Sequence, residues 1–115
     1  MSLIRPFAGL RPAAECAEAV VAPPYDVLNS SEAREQAAGK PWSFLHVSKA
    51  EIDLPEDTDP FDASVYAKSA ENFNRMLAEN VLIQDEAPCY YAYRLKMGDH
   101  VQTGIAAAAS VDAYD

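Results

Sequence analysis

The sequence contains few of the residues from which compact catalytic and metal-binding motifs are built. It has two cysteines, two histidines and four glycines in 115 residues. Cys16 and Cys89 lie far apart and in no zinc-type or redox-type spacing. No glycine-rich phosphate loop is present. The motifs therefore leave the catalytic residues and the cofactor unknown, and they predict no metal site.

Basic residues and long apolar runs are also scarce. Nine Lys and Arg residues against eighteen Asp and Glu residues give a formal net charge of −9. Because an acidic surface repels phosphates and anionic lipids, nucleic-acid binding is disfavoured. No apolar run approaches the roughly 18 residues that span a bilayer. Without a signal-peptide pattern or a cysteine framework, we expect a cytoplasmic protein with no membrane partner.

Half of the residues are apolar, which is typical of a globular chain, and the length predicts one domain over residues 1–115. The segment "AAECAEAV" predicts a short helix that the following Pro-Pro pair ends. Asn29, with Glu32 three residues later, predicts a capping box that opens a helix over residues 30–38. Gly39 is the expected terminator of that helix.

The longest predicted helix covers "PFDASVYAKSAENFNRMLAEN". We expect Asp59 to cap it with Pro60 at its first position, and Asn80 to end it. Its apolar residues recur at helical spacing and predict a core-facing stripe of Phe61, Val65, Tyr66, Ala70, Phe73 and Leu77.

The remaining apolar segments predict strands. "WSFLHVS" is a compact apolar run, and "CYYAYRLKM" with "VQTGIAAAASV" predicts a hairpin, although "AAAAS" also has good helix propensity. The apolar faces of the hairpin coincide if Met97 lies opposite Val101, which requires a three-residue turn over 98–100. The predicted fold is α+β, with short N-terminal helices, one long helix and a mixed sheet that includes the C-terminal β-hairpin.

Three long segments carry a resemblance to a known family. They are "RPFAGLRP", "APPYDVLNSSEAREQAAGKPWSFLHVSKAEIDLPED" and "YAKSAENFNRMLAENVLIQDEAPCYYAYR". In this order they resemble the N-terminal portion of the uncharacterised family catalogued as domain of unknown function 1015. The resemblance implies that the chain is a fragment of a longer protein, whose missing C-terminal part is an expected partner of this domain. It implies no catalytic residue.

Five residues are candidates for binding a small anionic ligand. Arg5 and Arg11 flank a Phe-Ala-Gly-Leu segment, and arginine offers forked donors to phosphate or carboxylate, although ion pairing on this acidic surface is the alternative. Tyr25 and Asp26 lie on the rigid loop "VAPPYDVL", where binding groups are often carried, although Asp26 is also suited to capping a turn. His46 lies among apolar residues and is either an acid–base or ligand group or a histidine whose bonds are satisfied inside a sheet.

The acidic segment 51–62 does not fit a calcium-binding EF-hand. Counted from Asp57, the sixth position holds Asp62 and the twelfth holds Lys68, where that loop needs glycine and glutamate. We therefore interpret the segment as a solvated loop.

Two hypotheses of function follow. In the first, the chain is part of an enzyme that binds a small anionic or nucleotide-type ligand, with phosphoryl transfer to a small metabolite as the expected reaction. In the second, it is a non-catalytic module for protein–protein contact. A helix followed by a hairpin also occurs in winged-helix DNA-binding proteins, but the acidic balance of residues 60–79 disfavours this version. The sequence does not indicate the oligomeric state.

Overall fold

A computed structural model describes residues 3–114 and divides the chain into two compact units. The terminal unit consists of the residues up to Arg11 together with those from Gln84 onward. The central unit is Pro12–Ile83. That residues 1–115 form a single domain stays a prediction.

Most helices lie in the middle of the chain and the strands lie toward its two ends, which confirms the α+β fold class. The strands lie in three two-stranded sheets, so the C-terminal hairpin forms a sheet of its own and not a part of a larger mixed sheet. Short 3₁₀ helices occur at Ala14–Cys16, Tyr25–Val27 and Ala50–Asp53. The other elements are β1 Ile4–Arg5, β2 Leu10–Pro12, α1 Ala17–Val20, α2 Ser30–Ala37, α3 Leu45–Ser48, α4 Ala63–Ala78, β3 Leu82–Gln84, β4 Tyr91–Met97, β5 His100–Ala106, β6 Ala108–Ala109 and α5 Val111–Tyr114.

The predicted capping box of α2 is confirmed. The backbone N–H of Glu32 donates to Asn29 Oδ1 at 2.8 Å, and the backbone N–H of Asn29 donates to Glu32 Oε1 at 3.0 Å. Gly39 follows the helix with φ of +72°, a left-handed conformation that favours glycine. Ala33 and Ala37 of α2 form a buried cluster with Leu45.

The predicted strand at "WSFLHVS" is wrong, because these residues form a turn followed by the helix α3. The Ser43 hydroxyl accepts from the backbone N–H of Leu45 at 3.3 Å, which satisfies one of the unpaired donors at the helix start. The backbone N–H of Phe44 donates to the Val20 carbonyl at 3.0 Å. A short apolar run does not distinguish a buried strand from a buried helical turn, so contacts remote in sequence decide the outcome.

Helix α4 begins three residues later than predicted. Asp62 is its N-cap, since Asp62 Oδ1 accepts from the backbone N–H of Ser64 at 2.9 Å. Asp59 instead accepts from the backbone N–H of Phe61 at 2.9 Å and closes a separate turn before the helix. Asn80 ends α4 as predicted, with φ of 57°.

The core-facing side of α4 differs from the predicted stripe. Val65, Asn72 and Met76 are its buried residues. Phe61 and Tyr66 are 81% and 62% exposed, and Ala70 is also exposed, so these three were assigned wrongly. Phe73 and Leu77 do pack against the core, in a cluster that consists of Val20, Met76, Val81 and Leu82.

The hairpin of β4 and β5 forms, but its predicted register is wrong by one residue. Met97 pairs with His100 instead of Val101, so the turn holds only Gly98 and Asp99. Gly98 has φ of +59°, as in a two-residue turn with glycine at the first central position. Tyr93 on one face is 62% exposed and Ile105 on the other is 76% exposed, so burial does not select the register and turn geometry does.

Within residues 3–114, no helix is long and apolar enough to cross a membrane.

We predict that Asn29→Ala lowers the free energy of unfolding by about 1 kcal/mol, because the substitution removes the side-chain acceptor of the capping box. Ser31→Ala is the matched control, since Ser31 is exposed in the first turn of the same helix. Urea unfolding followed by circular dichroism measures both. Equal urea midpoints for the two variants would contradict the energetic role of the cap.

Candidate functional site

The five residues predicted to bind a ligand are divided between the two units. Arg5 and Arg11 belong to the terminal unit, and Tyr25, Asp26 and His46 belong to the central unit. Arg5 lies in β1 and is exposed. Two of the predicted residues thus lie in one unit and three in the other.

Arg11 is held by an internal carboxylate. Its guanidinium donates to Asp85 in a fork, from Nη2 to Oδ1 at 2.8 Å and from Nε to Oδ2 at 3.1 Å. The Tyr91 hydroxyl donates to Asp85 Oδ2 at 2.5 Å and accepts from the backbone N–H of Gly9 at 2.6 Å. Two of the donors of Arg11 are thus already bonded, and the cluster fixes the segment that connects β1 to β2.

These contacts shift the ionisation of the cluster. The hydrogen bond from Arg11, followed by the one from Tyr91, lowers the pKa of the Asp85 carboxyl. The neighbouring Asp85 raises the pKa of the Tyr91 hydroxyl and that of the Arg11 guanidinium. A Cβ at position 9 would lie 2.8 Å from the Tyr91 ring, so this close approach requires glycine. Sequence reasoning found Arg11 but missed Asp85 and Tyr91, which are remote from it in sequence.

The Pro-Pro loop ends in a turn that a lysine supports. Pro24 has an extended backbone with φ of −56° and ψ of 142°, and the chain then forms the 3₁₀ helix Tyr25–Val27. Tyr25 and Asp26 are exposed. The Lys49 ammonium donates to the Tyr25 carbonyl at 3.2 Å, so the tyrosine backbone is held while its side chain stays in solvent.

His46 lies in α3, not in a sheet, and both of its ring nitrogens have partners. Nδ1 lies 2.7 Å from Asp53 Oδ2, and Nε2 lies 3.0 Å from the Lys40 carbonyl oxygen. A carbonyl and an ionised carboxylate can only accept hydrogen bonds. Both ring nitrogens must therefore donate for both bonds to form, which is the state of the positively charged imidazolium.

Asn72 connects this pair to α4. Its side chain is among the most deeply buried in the described residues, with 2% of the residue exposed. Nδ2 donates to the His46 carbonyl at 2.7 Å and to Asp53 Oδ2 at 2.9 Å. The carboxylate of Asp53 is thus contacted by the imidazole of His46 from α3 and by the side-chain amide of Asn72 from α4.

A cavity of about 320 Å³ opens beside this network. Its lining includes three basic side chains and one carboxylate, and the full set is Pro41, His46, Asp53, Lys68, Asn72 and Arg75. Such a surplus of basic groups is notable in a chain with a net charge of −9. The cavity therefore favours an anion over a cation.

The guanidinium of Arg75 is the best-placed donor group of the cavity. It lies over the Trp42 ring at 5.7 Å from the centroid, a cation–π arrangement that leaves its N–H groups free. Among the described residues it has no ion-pair partner. Lys68 lies 3.5 Å from Glu71, but an ion pair with a partner that is 66% exposed contributes little to stability.

A second cavity, of about 210 Å³, is also lined by His46 and Asp53, and by Arg34 as well. This arginine is committed to structure, because its Nη2 donates to the carbonyls of Glu51 at 3.1 Å and Leu54 at 3.3 Å. It is therefore a weaker candidate for ligand binding than Arg75.

A pattern in the sequence of α4 indicates the cavity residues that the sequence-based prediction did not include. Lys68, Asn72 and Arg75 follow the i, i+4, i+7 spacing of one helix face, the same spacing used to predict the apolar stripe. A polar face of this kind is usually solvated, and only the buried Asn72 distinguishes it. No group of three or more His, Cys, Asp or Glu side chains suited to a metal ion occurs in the part of the chain that the structure describes.

Comparison with protein families matches residues 4–115 to the family described as "Protein of unknown function (DUF1015)". The chain belongs to the DUF1015 family. This confirms the resemblance carried by the three long sequence segments. Searches of curated proteins and of solved structures found no match.

In this DUF1015 chain, Asp85 is predicted to stabilise the fold in a pH-dependent way. A carboxyl whose pKa is lowered on folding stabilises above its unfolded pKa of about 4, and this stabilisation is lost as the pH falls through the folded value. Asp85→Asn removes the titrating group, so its urea midpoint should fall less between about pH 5 and about pH 2 than that of the unsubstituted chain.

Asp99→Asn, in the exposed hairpin turn, is the matched control and should keep the acid dependence of the unsubstituted chain. The comparison uses the change in midpoint with pH, so a uniform loss of stability in either variant does not affect it. Equal acid dependence in the Asp85 and Asp99 variants would contradict the assignment.

Proposed function

We propose that this DUF1015 chain is part of an enzyme that binds a small anionic or nucleotide-type ligand in the cavity beside His46. The observation that carries the proposal is the Arg75 guanidinium, which is held over Trp42 at 5.7 Å with its N–H donors free at the edge of a cavity of about 320 Å³. Phosphoryl transfer to a small metabolite is the reaction we propose within this class.

Arg75 and Lys68 supply complementary chemistry for such a ligand. A guanidinium offers a planar fork of donors that matches two oxygens of a phosphate or carboxylate, and its contact with the indole limits the conformational freedom it loses on binding. The lysine ammonium is a compact charge with three donors. Together they favour an oxyanion over a neutral ligand.

The predicted residues contribute unequally to this proposal. His46 lines the cavity, although its two nitrogens are bonded to Asp53 and Lys40, so we assign it no proton transfer to substrate. Arg5, Arg11, Tyr25 and Asp26 stay predictions as ligand contacts. Catalytic groups and further partners are proposed to come from a C-terminal continuation of the chain.

A cytoplasmic location is also part of the proposal. Cys16 and Cys89 are both free, which fits a reducing compartment.

Titration with anions tests the proposal. Trp42 is the only tryptophan of the chain, so intrinsic fluorescence reports on the residue that Arg75 covers. We expect phosphate, pyrophosphate or ATP to change this fluorescence saturably. Arg75→Gln and Lys68→Gln should each weaken the binding by about tenfold or more, because each removes a charged hydrogen-bond donor.

Arg94→Gln is the matched control, since Arg94 is an exposed arginine of β4 and lines no part of this cavity. Its anion affinity should equal that of the unsubstituted chain. For the Arg75 variant, anion binding is measured by calorimetric titration instead of fluorescence, because this substitution alters the surroundings of Trp42. Absence of saturable binding, or equal weakening by all three substitutions, would overturn the proposal.

A non-catalytic protein–protein module is the second candidate. The observation that favours it is the hairpin of β4 and β5, whose apolar side chains are exposed on both faces, Met97 to 83% and Ile105 to 76%. An isolated two-stranded hairpin is marginally stable, so a covering partner would stabilise it. A C-terminal continuation of the chain is the partner that we propose for it.

Hydrogen exchange of the hairpin amides tests this second candidate. Slower exchange in a longer natural gene product than in this chain would support it, and equal exchange would count against it. A winged-helix role is checked by gel shift at low salt. We expect no shift, because Lys68 and Arg75 are the only basic residues of α4 in a strongly acidic chain.

A further inference from the structure

We propose that His46 is a positioning residue that couples anion binding in the cavity to the uptake of a proton. While protonated, His46 neutralises Asp53. When the proton is lost, the negative charge of Asp53 competes with the bound anion for Lys68 and Arg75. The inference rests on the proposed function of this cavity and adds its regulation.

The coupling follows from the hydrogen-bond partners of the imidazole. With the Lys40 carbonyl on Nε2 and the Asp53 carboxylate on Nδ1, a neutral ring can donate only one of the two bonds. The other contact then sets a nitrogen lone pair against an oxygen lone pair. Loss of the proton therefore removes one hydrogen bond and the positive charge next to the carboxylate.

The charged groups around His46 come from three other elements. Asp53 is supplied by the 3₁₀ helix Ala50–Asp53, Lys68 and Arg75 by α4, and Arg34 by α2. Arg34 is bonded to two backbone carbonyls, so it is not free to move to Asp53. Asp53 is the only carboxylate among the described residues that line the two cavities.

Asn72 keeps the carboxylate in place when the histidine is neutral. Its Nδ2 donates to Asp53 Oδ2 at 2.9 Å from a buried position, and this hydrogen bond requires no charge on His46. Asp53 thus stays at the cavity as an unneutralised anion. With His46 protonated the cavity is lined by three cations and one carboxylate, and with His46 neutral by two cations and one carboxylate.

The ligand class that senses this change most strongly is a dianionic oxyanion. The energy of interaction with the local charge scales with the charge of the ligand, so a dianion loses about twice as much as a monoanion. Phosphate changes its own charge near neutral pH, whereas sulfate stays a dianion. Sulfate is therefore the probe that isolates the contribution of the protein.

The experiment is a calorimetric titration of the chain with sulfate between about pH 5.5 and about pH 8.5, the range in which histidine changes its charge. We expect the dissociation constant to rise by about tenfold across this range. His46→Gln should bind sulfate weakly at every pH, like the unsubstituted chain at high pH. His46→Gln combined with Asp53→Asn should bind tightly at every pH, because the competing carboxylate is gone.

His100→Gln is the matched control, because it removes the other histidine, which lies in the hairpin. It should keep the full pH dependence. Sulfate binding that is equally tight at both ends of the pH range would overturn the coupling and leave the anion site intact. No sulfate binding at any pH would overturn the anion site and the coupling together. The pH profile of the unsubstituted chain distinguishes these outcomes even if a variant fails to fold.

Discussion

The buried carboxamide of Asn72 is the contact on which the polar architecture of the central unit depends. It donates to the His46 carbonyl and to the Asp53 carboxylate, at 2.7 and 2.9 Å. A buried amide that lacks partners is costly, so α4 must hold the rotation that satisfies both bonds. This rotation turns Tyr66 to solvent and places Lys68 and Arg75 at the edge of the same cavity. The site is thus a consequence of one satisfied polar group in the core.

Two arginines show how the surroundings of a side chain decide its role in an acidic chain. Arg11 donates two hydrogen bonds to the Asp85 carboxylate, and this ion pair stabilises the segment that precedes Arg11. Arg75 lies over the Trp42 ring and keeps its donors free. The donors with which Arg11 binds Asp85 are not available to a ligand, whereas those of Arg75 are. An arginine held by an aromatic ring is therefore the better candidate for a ligand.

Local signals in the sequence predicted local structure well, and remote contacts account for the errors. The capping box at Asn29 and the terminators Gly39 and Asn80 involve neighbours within a few residues, so their patterns are sufficient. The orientation of α4 depends on bonds from Asn72 to residues 19 and 26 positions away, which no periodicity reveals. The predicted register of the hairpin was wrong for a different reason. Neither face of the hairpin is buried, so the alternation of apolar residues does not determine which residues pair. The sequence predicted His46 as a site residue. It did not predict Lys68 and Arg75, because a polar helix face of this kind is usually solvated.

The central claim is that His46 carries a proton on both ring nitrogens while it holds Asp53 beside the cavity. Nitrogen NMR of histidine-labelled chain measures this directly, and the two histidines are distinguished with a His100→Gln variant. We predict that both His46 nitrogens bear protons under mildly acidic conditions, with the Nδ1 proton in a short hydrogen bond. A neutral His46 ring with one bare nitrogen under the same conditions would contradict the claim.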